Sequence, residues 1–265
     1  MAIGIITGSG TYALPGFEPA AAEPVPTRWG VVEVSRGSLA GADVLHVSRH
    51  GAGHPRLSNH VEHRANIAAL ASLGAAGVIG LTVCGAVDPE VELGSLIVFD
   101  DLHFPSNRLP DGALCTFFAE PGDVARGHWI FEAPFSEPLR GALVAGGRES
   151  GAPLRERGTY GHVDGPRFNT RSEIRALAAC GVTAVSQTAG PETVLAGEVE
   201  LPFALVGYAT DHANGVKPEE TPVARLLELI AASTATFSTL LEGALPRVAE
   251  SALPSAGVVY RFESG

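Results

Sequence analysis

The sequence predicts an α/β fold, a single domain built on one central sheet. Two observations carry this. Short runs of β-branched and apolar residues alternate with Ala/Leu-rich stretches along the whole chain, as strands alternate with helices. With 265 residues, 45% of them apolar, there is material for a sizeable core, and no repeat or low-complexity linker divides it.

In chain order, residues 3–6 read as a first core strand, and 14–26, rich in proline, as an ordered surface loop. Further strands are expected at 31–35, 44–47, 78–82, 96–99, 184–187 and 203–208. Helices are expected at 61–72, 137–145, 171–180 and 222–241. The last begins with proline and acidic residues and places Leu226, Leu227, Ile230, Phe237, Leu240 and Leu241 at helical spacing.

Charge and cysteine content narrow the function. A formal net charge of −11 without a basic stripe argues against nucleic acid and anionic membranes as partners. A few local donors could still hold a phosphate. Cys84, Cys115 and Cys180 are odd in number, far apart and set in apolar runs, which fits a reducing cytoplasm rather than a disulfide framework. With no basic segment before an apolar one and no run of 18 apolar residues, no targeting or membrane segment is expected.

The segment Gly158-Thr-Tyr-Gly-His-Val-Asp-Gly-Pro-Arg-Phe168-Asn-Thr-Arg-Ser-Glu173 is the most informative. Gly165-Pro166 makes a rigid turn that can present Phe168 as a flat apolar face. Gln187-Thr188-Ala-Gly-Pro-Glu192 and Ala209-Thr-Asp211-His-Ala-Asn-Gly215 both follow apolar runs. A stacking ring, a hydroxyl and a carboxylate at strand exits suit a flat heterocycle with a polar appendage, the chemistry of a nucleoside. Asp211, beside His212 and Asn214, is the leading catalytic candidate; its bland alternative is a turn cap.

Three further turns offer donors. Thr7-Gly8-Ser9-Gly10 lets the backbone approach an anion, with Ser9 adding a hydroxyl. Gly8-x-Gly10-x-x-Ala13 also satisfies a loose dinucleotide fingerprint, but that motif needs a helix opening at the glycines, and the chain runs instead into Leu14-Pro15-Gly16. In Ser48-Arg49-His50-Gly51-Ala-Gly53-His54, Arg49 offers a planar fork for an oxyanion and His50 a second donor. A metal held by His46, His50, His54, His60 and His63 and a plain surface loop are the alternatives there. Thr82-Val83-Cys84-Gly85 ends a strand on the usual ligand side of such folds, and Cys84 reads as core.

Together these motifs resemble the trimeric purine nucleoside phosphorylases, most closely their methylthioadenosine phosphorylase branch, from Ile3 to about Pro246. The resemblance implies a central mixed sheet flanked by helices. It implies phosphate held by Ser9, Arg49, His50, Thr82, Thr188 and the backbone N–H of Val83. Phe168, Asp211 and Ala213 fall at the base, Gln187 under the sugar, and Val223 and Leu227 in a pocket for a 5′-alkylthio group. His128 matches a histidine supplied by a neighbouring subunit. A homotrimer or dimer of trimers follows, with phosphate as cosubstrate and no organic cofactor or metal.

This chain departs from the branch at three places. Asp211-His212-Ala213 stands for Asp-x-Asp, which removes the acceptor for a 6-amino group; Gln187 replaces a Met; and Glu62-His63-Arg64 replaces Asn-Tyr-Gln or Asn-Tyr-Arg. The expected reaction is phosphorolysis of a purine nucleoside, methylthioadenosine or methylthioinosine first, with a general 6-oxopurine nucleoside phosphorylase or an enzyme for a modified nucleoside as alternatives. A nucleoside hydrolase would lack the anion set. A non-catalytic purine-binding protein would have no use for Arg49, His50 and Asp211 together.

Overall fold

The computed structural model describes residues 1–11, 14–51 and 53–262. In order, the elements are β1 (Ile3–Thr7), β2 (Glu18–Thr27), β3 (Gly30–Leu39), β4 (Ala42–Ser48), α1 (His63–Ser72), β5 (Gly77–Ala86), β6 (Leu96–Val98), β7 (Asp101–His103), β8 (Gly127–Ile130), α2 (Glu137–Glu149), β9 (Leu154–Arg155), β10 (Thr159–His162), α3 (Arg171–Ala179), β11 (Val182–Ser186), α4 (Ala189–Glu198), β12 (Phe203–His212), α5 (Val223–Ala249) and β13 (Val258–Arg261). Each strand and helix expected from the sequence is present with ends displaced by up to four residues, except that the last helix runs eight residues past its expected end.

Among the described residues eleven strands form one mixed sheet, in which β5 pairs in parallel with both β1 and β12 and antiparallel with β11. Along β1, Ile3 and Ile5 join the core under α2 and α5, while Ile6 joins the core on the opposite face. In β12, Ala204 and Val206 likewise oppose Phe203 and Leu205. Side chains alternate across a sheet, so covering both faces requires strands that are apolar throughout. That is why these strands stand out in the sequence as unbroken apolar runs.

α5 is long and apolar enough, by length and composition, to cross a membrane. In the fold, Phe237, Leu240, Leu241, Ala244, Leu245 and Val248 are buried in the domain core.

Three local readings are corrected. The expected loop at 14–26 contains most of β2, an edge strand that among the described residues pairs only with β3. Pro19, Pro24 and Pro26 are tolerated there because an edge strand need not donate on its free side. α4 was hidden because Gly190-Pro191 reads as a breaker, yet both lie in its first turn, where a proline's missing N–H costs no helical hydrogen bond. β10 was not expected as a strand, although Tyr160 on it is fully buried. Ala13, which completes the dinucleotide fingerprint, lies outside the described residues. Among those described, the next element after the Gly8–Gly10 turn is β2 rather than a helix.

Candidate active site

The site opens where the sheet divides. β1 pairs with β5 only as far as Gly80, and β11 takes up the same strand only from Gly85. Leu81 to Cys84 are therefore free of both neighbours. Into this gap run the carboxyl ends of β1, β4 and β11, with β12 alongside, the position at which open α/β sheets bind ligands. A cavity of about 320 Å³ fills it, lined among others by Ser9, Arg49, His50, Thr82, Val83, Phe168, Gln187, Thr188, Asp211 and Ala213.

At one end of the cavity lie the donors expected for an anion. Arg49 is fully buried, and its fork is taken by Glu192: Nε donates to Oε1 at 2.6 Å and Nη2 to Oε2 at 2.7 Å. Nη1 donates to the carbonyl of Leu81 at 2.9 Å, satisfying a group that the divided sheet leaves without a strand partner. Two of the five N–H groups remain. The bidentate face expected for an oxyanion is thus occupied from within. A Cβ at position 8 would sit 2.6 Å from Nη1, so glycine is needed for this close approach.

Burial alone would push the Glu192 carboxyl up; the Arg49 charge and its hydrogen bonds outweigh that and hold it at about 2. His50 donates from Nδ1 to the Arg56 carbonyl at 2.8 Å and stacks on His54, with centroids 4.2 Å apart. Burial, with Arg49 second, lowers His50 to about 4. Thr188 is the N-cap residue of α4, and its side chain makes no capping hydrogen bond. Thr82 and Ser186 share a hydrogen bond of 2.7 Å, and Tyr160 donates to Ser186 at 3.2 Å while accepting from the Ala189 N–H at 3.1 Å.

The other end is shaped for a flat ring. A capping box, Thr170 with Glu173, starts α3 and fixes the loop carrying Phe168. Phe168 lines the cavity yet is 61% exposed. Asp211 follows a register shift in the β12–β5 pairing between Ala209 and Asp211, a bulge of the kind that re-aims side chains beside functional sites. Burial raises the Asp211 carboxyl, partly opposed by a hydrogen bond from Thr210 at 2.9 Å. His212 turns away to the Val91 carbonyl, whereas Asn214 lines the cavity and donates to the Asn169 carbonyl at 2.7 Å.

Between the two ends, Gln187 accepts from Ser58 at 2.8 Å and donates to the Arg167 carbonyl at 3.1 Å. A Cβ at position 165 would come within 2.0 Å of its Oε1, so Gly165 gives this brace its room.

Three expected site residues lie elsewhere. Val223 and Leu227 are 69% and 60% exposed and do not line the cavity; Leu226 and Ile230 do. Both pairs are four residues apart, and the helical rotation between them turns the first pair outward. His128 lies on β8, in the separate two-stranded ribbon with β13, outside this chain's cavity.

The five histidines do not gather at one point. His46 bonds Thr7 at 2.9 Å, and His63 lies 3.8 Å from Glu192 with no hydrogen-bond partner for either ring nitrogen among the described residues. Among those residues no cluster of three or more His, Cys, Asp or Glu side chains could hold a metal ion. Cys84 lines the cavity from the core, and burial pushes its thiol up. Sequence reasoning missed Ser58, Ser186, Tyr160 and the pairing of Glu192 with Arg49. Only Glu192 carried a signal, within its Pro-Glu motif.

Residues 2–246 match the family model of the phosphorylase superfamily. The 6-oxopurine nucleoside phosphorylase of Pyrococcus furiosus is 31% identical over 250 residues, covering 93% of this chain and 92% of the relative. The S-methyl-5′-thioadenosine phosphorylase of Geobacter sulfurreducens is 30% identical over 249 residues, covering 93% and 85%. A solved structure of a variant adenosine/methylthioadenosine phosphorylase from Schistosoma mansoni, in complex with adenine, superimposes with a TM-score of 0.82 at 25% identity, covering 94% of this chain and 92% of the other. Matched from Ala2 to Pro246 and folded like that solved relative, this chain belongs to the phosphorylase superfamily.

Proposed function

We propose that this chain cleaves the N-glycosidic bond of a purine nucleoside by phosphorolysis, releasing the free base and a ribose 1-phosphate. One observation carries the reading: a single cavity has oxyanion donors at one end and an aromatic ring with a half-buried carboxyl at the other. Phosphate held by Ser9, Arg49, His50, Thr82, Thr188 and the Val83 N–H attacks the anomeric carbon. The bond from that carbon to the purine breaks, and its electron pair passes into the base. Asp211, whose raised pKa favours holding a proton, gives or shares one at the departing ring. Phe168 packs on the purine face, and Gln187, braced by Ser58, lies under the sugar. No organic cofactor or metal enters the reaction.

Two features narrow the substrate. Ala213 offers no acceptor to a 6-amino group, and losing that partner weakens adenine by about 1–3 kcal/mol. The Asn214 amide has a second N–H that could serve a 6-oxo group. Leu226 and Ile230 favour an apolar 5′ substituent, so a methylthioinosine-type nucleoside fits best, with inosine next. In the working homotrimer, set in the cytoplasm, His128 of one subunit would stand at the 5′ end of the next subunit's nucleoside.

The test is product release from methylthioinosine, methylthioadenosine, inosine and adenosine, each with and without phosphate. The expected result is phosphate-dependent cleavage, fastest on a 6-oxopurine. No cleavage, or cleavage indifferent to phosphate, would overturn the phosphorylase reading.

A further inference from the structure

The oxyanion end of the cavity contains an acceptor among its donors. Because a carbonyl can only accept, the hydrogen bond from His50 Nδ1 to Arg56 fixes the neutral ring with its lone pair on Nε2. Four groups act on this ring: Arg49 at the end of β4, His54 and Arg56 in the loop that follows, and Glu192 on α4. Glu192 already balances the charge of Arg49, so the pair adds no net positive charge to the cavity. The ring is neutral well below neutral pH, with a pKa of about 4. A bare lone pair repels an anionic oxygen but accepts a hydrogen bond from a protonated one.

On the reading that this cavity binds inorganic phosphate, we propose that His50 is a specificity-determining acceptor: its Nε2 takes a hydrogen bond from the P–OH of hydrogen phosphate, so the site selects oxyanions that carry a proton. Hydrogen phosphate and hydrogen arsenate bring that proton with them. Sulfate has none at neutral pH and satisfies Nε2 only when the ring takes up a proton from solvent. Sulfate binding is therefore linked to the uptake of one proton and weakens about tenfold for each pH unit above the His50 pKa.

The experiment is calorimetric titration of the wild-type protein with phosphate and with sulfate, in buffers of different ionisation enthalpy, followed by the same titrations of His50→Gln. From about pH 6 to about pH 8, sulfate affinity is expected to fall about 100-fold with uptake of about one proton. At the upper pH, phosphate is expected to bind without net uptake. In His50→Gln, whose amide can rotate to donate, the pH dependence of sulfate binding should vanish and the preference for phosphate at about pH 8 should shrink by about tenfold or more. Equal proton uptake by both anions at the upper pH, or a sulfate affinity independent of pH, would overturn the proposal. The wild-type titrations decide this even if the variant does not fold. No detectable phosphate binding would instead overturn the phosphorylase reading on which it rests.

Discussion

Glu192→Gln removes one charge from a pair whose side chains are both fully buried. The amide keeps the shape and one acceptor oxygen. Its NH₂, however, meets one of the two Arg49 nitrogens that now donate at 2.6 and 2.7 Å, donor against donor. The retained oxygen and the Leu81 carbonyl still accept from Arg49, but the guanidinium loses its counter-ion and one of its two bonds to position 192. Breaking a buried ion pair from one side costs about 3–5 kcal/mol. At about 2–4 °C per kcal/mol for a domain near this size, the unfolding midpoint should fall by about 6–20 °C. The unbalanced charge borders the cavity, so an anion bound there should recover part of the loss. Phosphate at about a hundred times its Kd adds about 2.7 kcal/mol, and the variant should gain more degrees from it than the wild type. Thermal unfolding with and without phosphate measures both effects. A variant melting within about 2 °C of the wild type in the absence of phosphate would refute the claim that this pair holds the anion end in place.

Two other outcomes are expected. Asp211→Asn should lower kcat/KM for phosphorolysis by about 10²–10⁴ with little change in the KM for phosphate, because the carboxyl lies at the purine end; an effect confined to phosphate KM would place Asp211 elsewhere in the mechanism. Burial lowers His46 and His50 from the ordinary 6.5 to about 4 and His162 to about 3. The unfolded chain thus binds protons at these rings before the folded one does, and the stability they contribute, complete above pH 6.5, is lost as the pH falls toward about 4. Unfolding free energies from denaturant titrations between about pH 7 and about pH 5 should drop by up to about 1.4 kcal/mol per pH unit per ring, and a flat profile would contradict the burial of these rings.

The sequence revealed the sheet through Ile3, Val78 and Phe203 because strands covered on both faces are apolar at every position. It pointed to Ser9, Thr82, Thr188 and Asp211, which line one cavity, because each stands next to such a run, where a strand end has a fixed place in the fold. What it concealed depends on partners far away in the chain. Gln187 stood out as a departure from the Met of the resembling branch, but its brace to Ser58 spans 129 positions. Arg49 stood out as a candidate anion ligand, while Glu192, which occupies its fork, lies 143 positions on. Val223 and Leu227 show a different limit. Helical periodicity establishes that two residues share a face without telling which face meets the cavity, and Leu226 and Ile230 satisfy the same spacing.

The gap beside Leu81–Cys84 divides the labour of the site between main chain and side chains. The anion end is framed by strand order: the carbonyl of Leu81, the turn at Gly8 and the start of α4 are set by which strands pair and where they part. The end proposed for the purine is lined by Phe168, Ala213 and Asn214, on segments that leave the sheet. On the proposed function, exchanging one nucleoside for another therefore asks only for new side chains on those segments. Replacing the attacking anion would require the strands themselves to be paired differently.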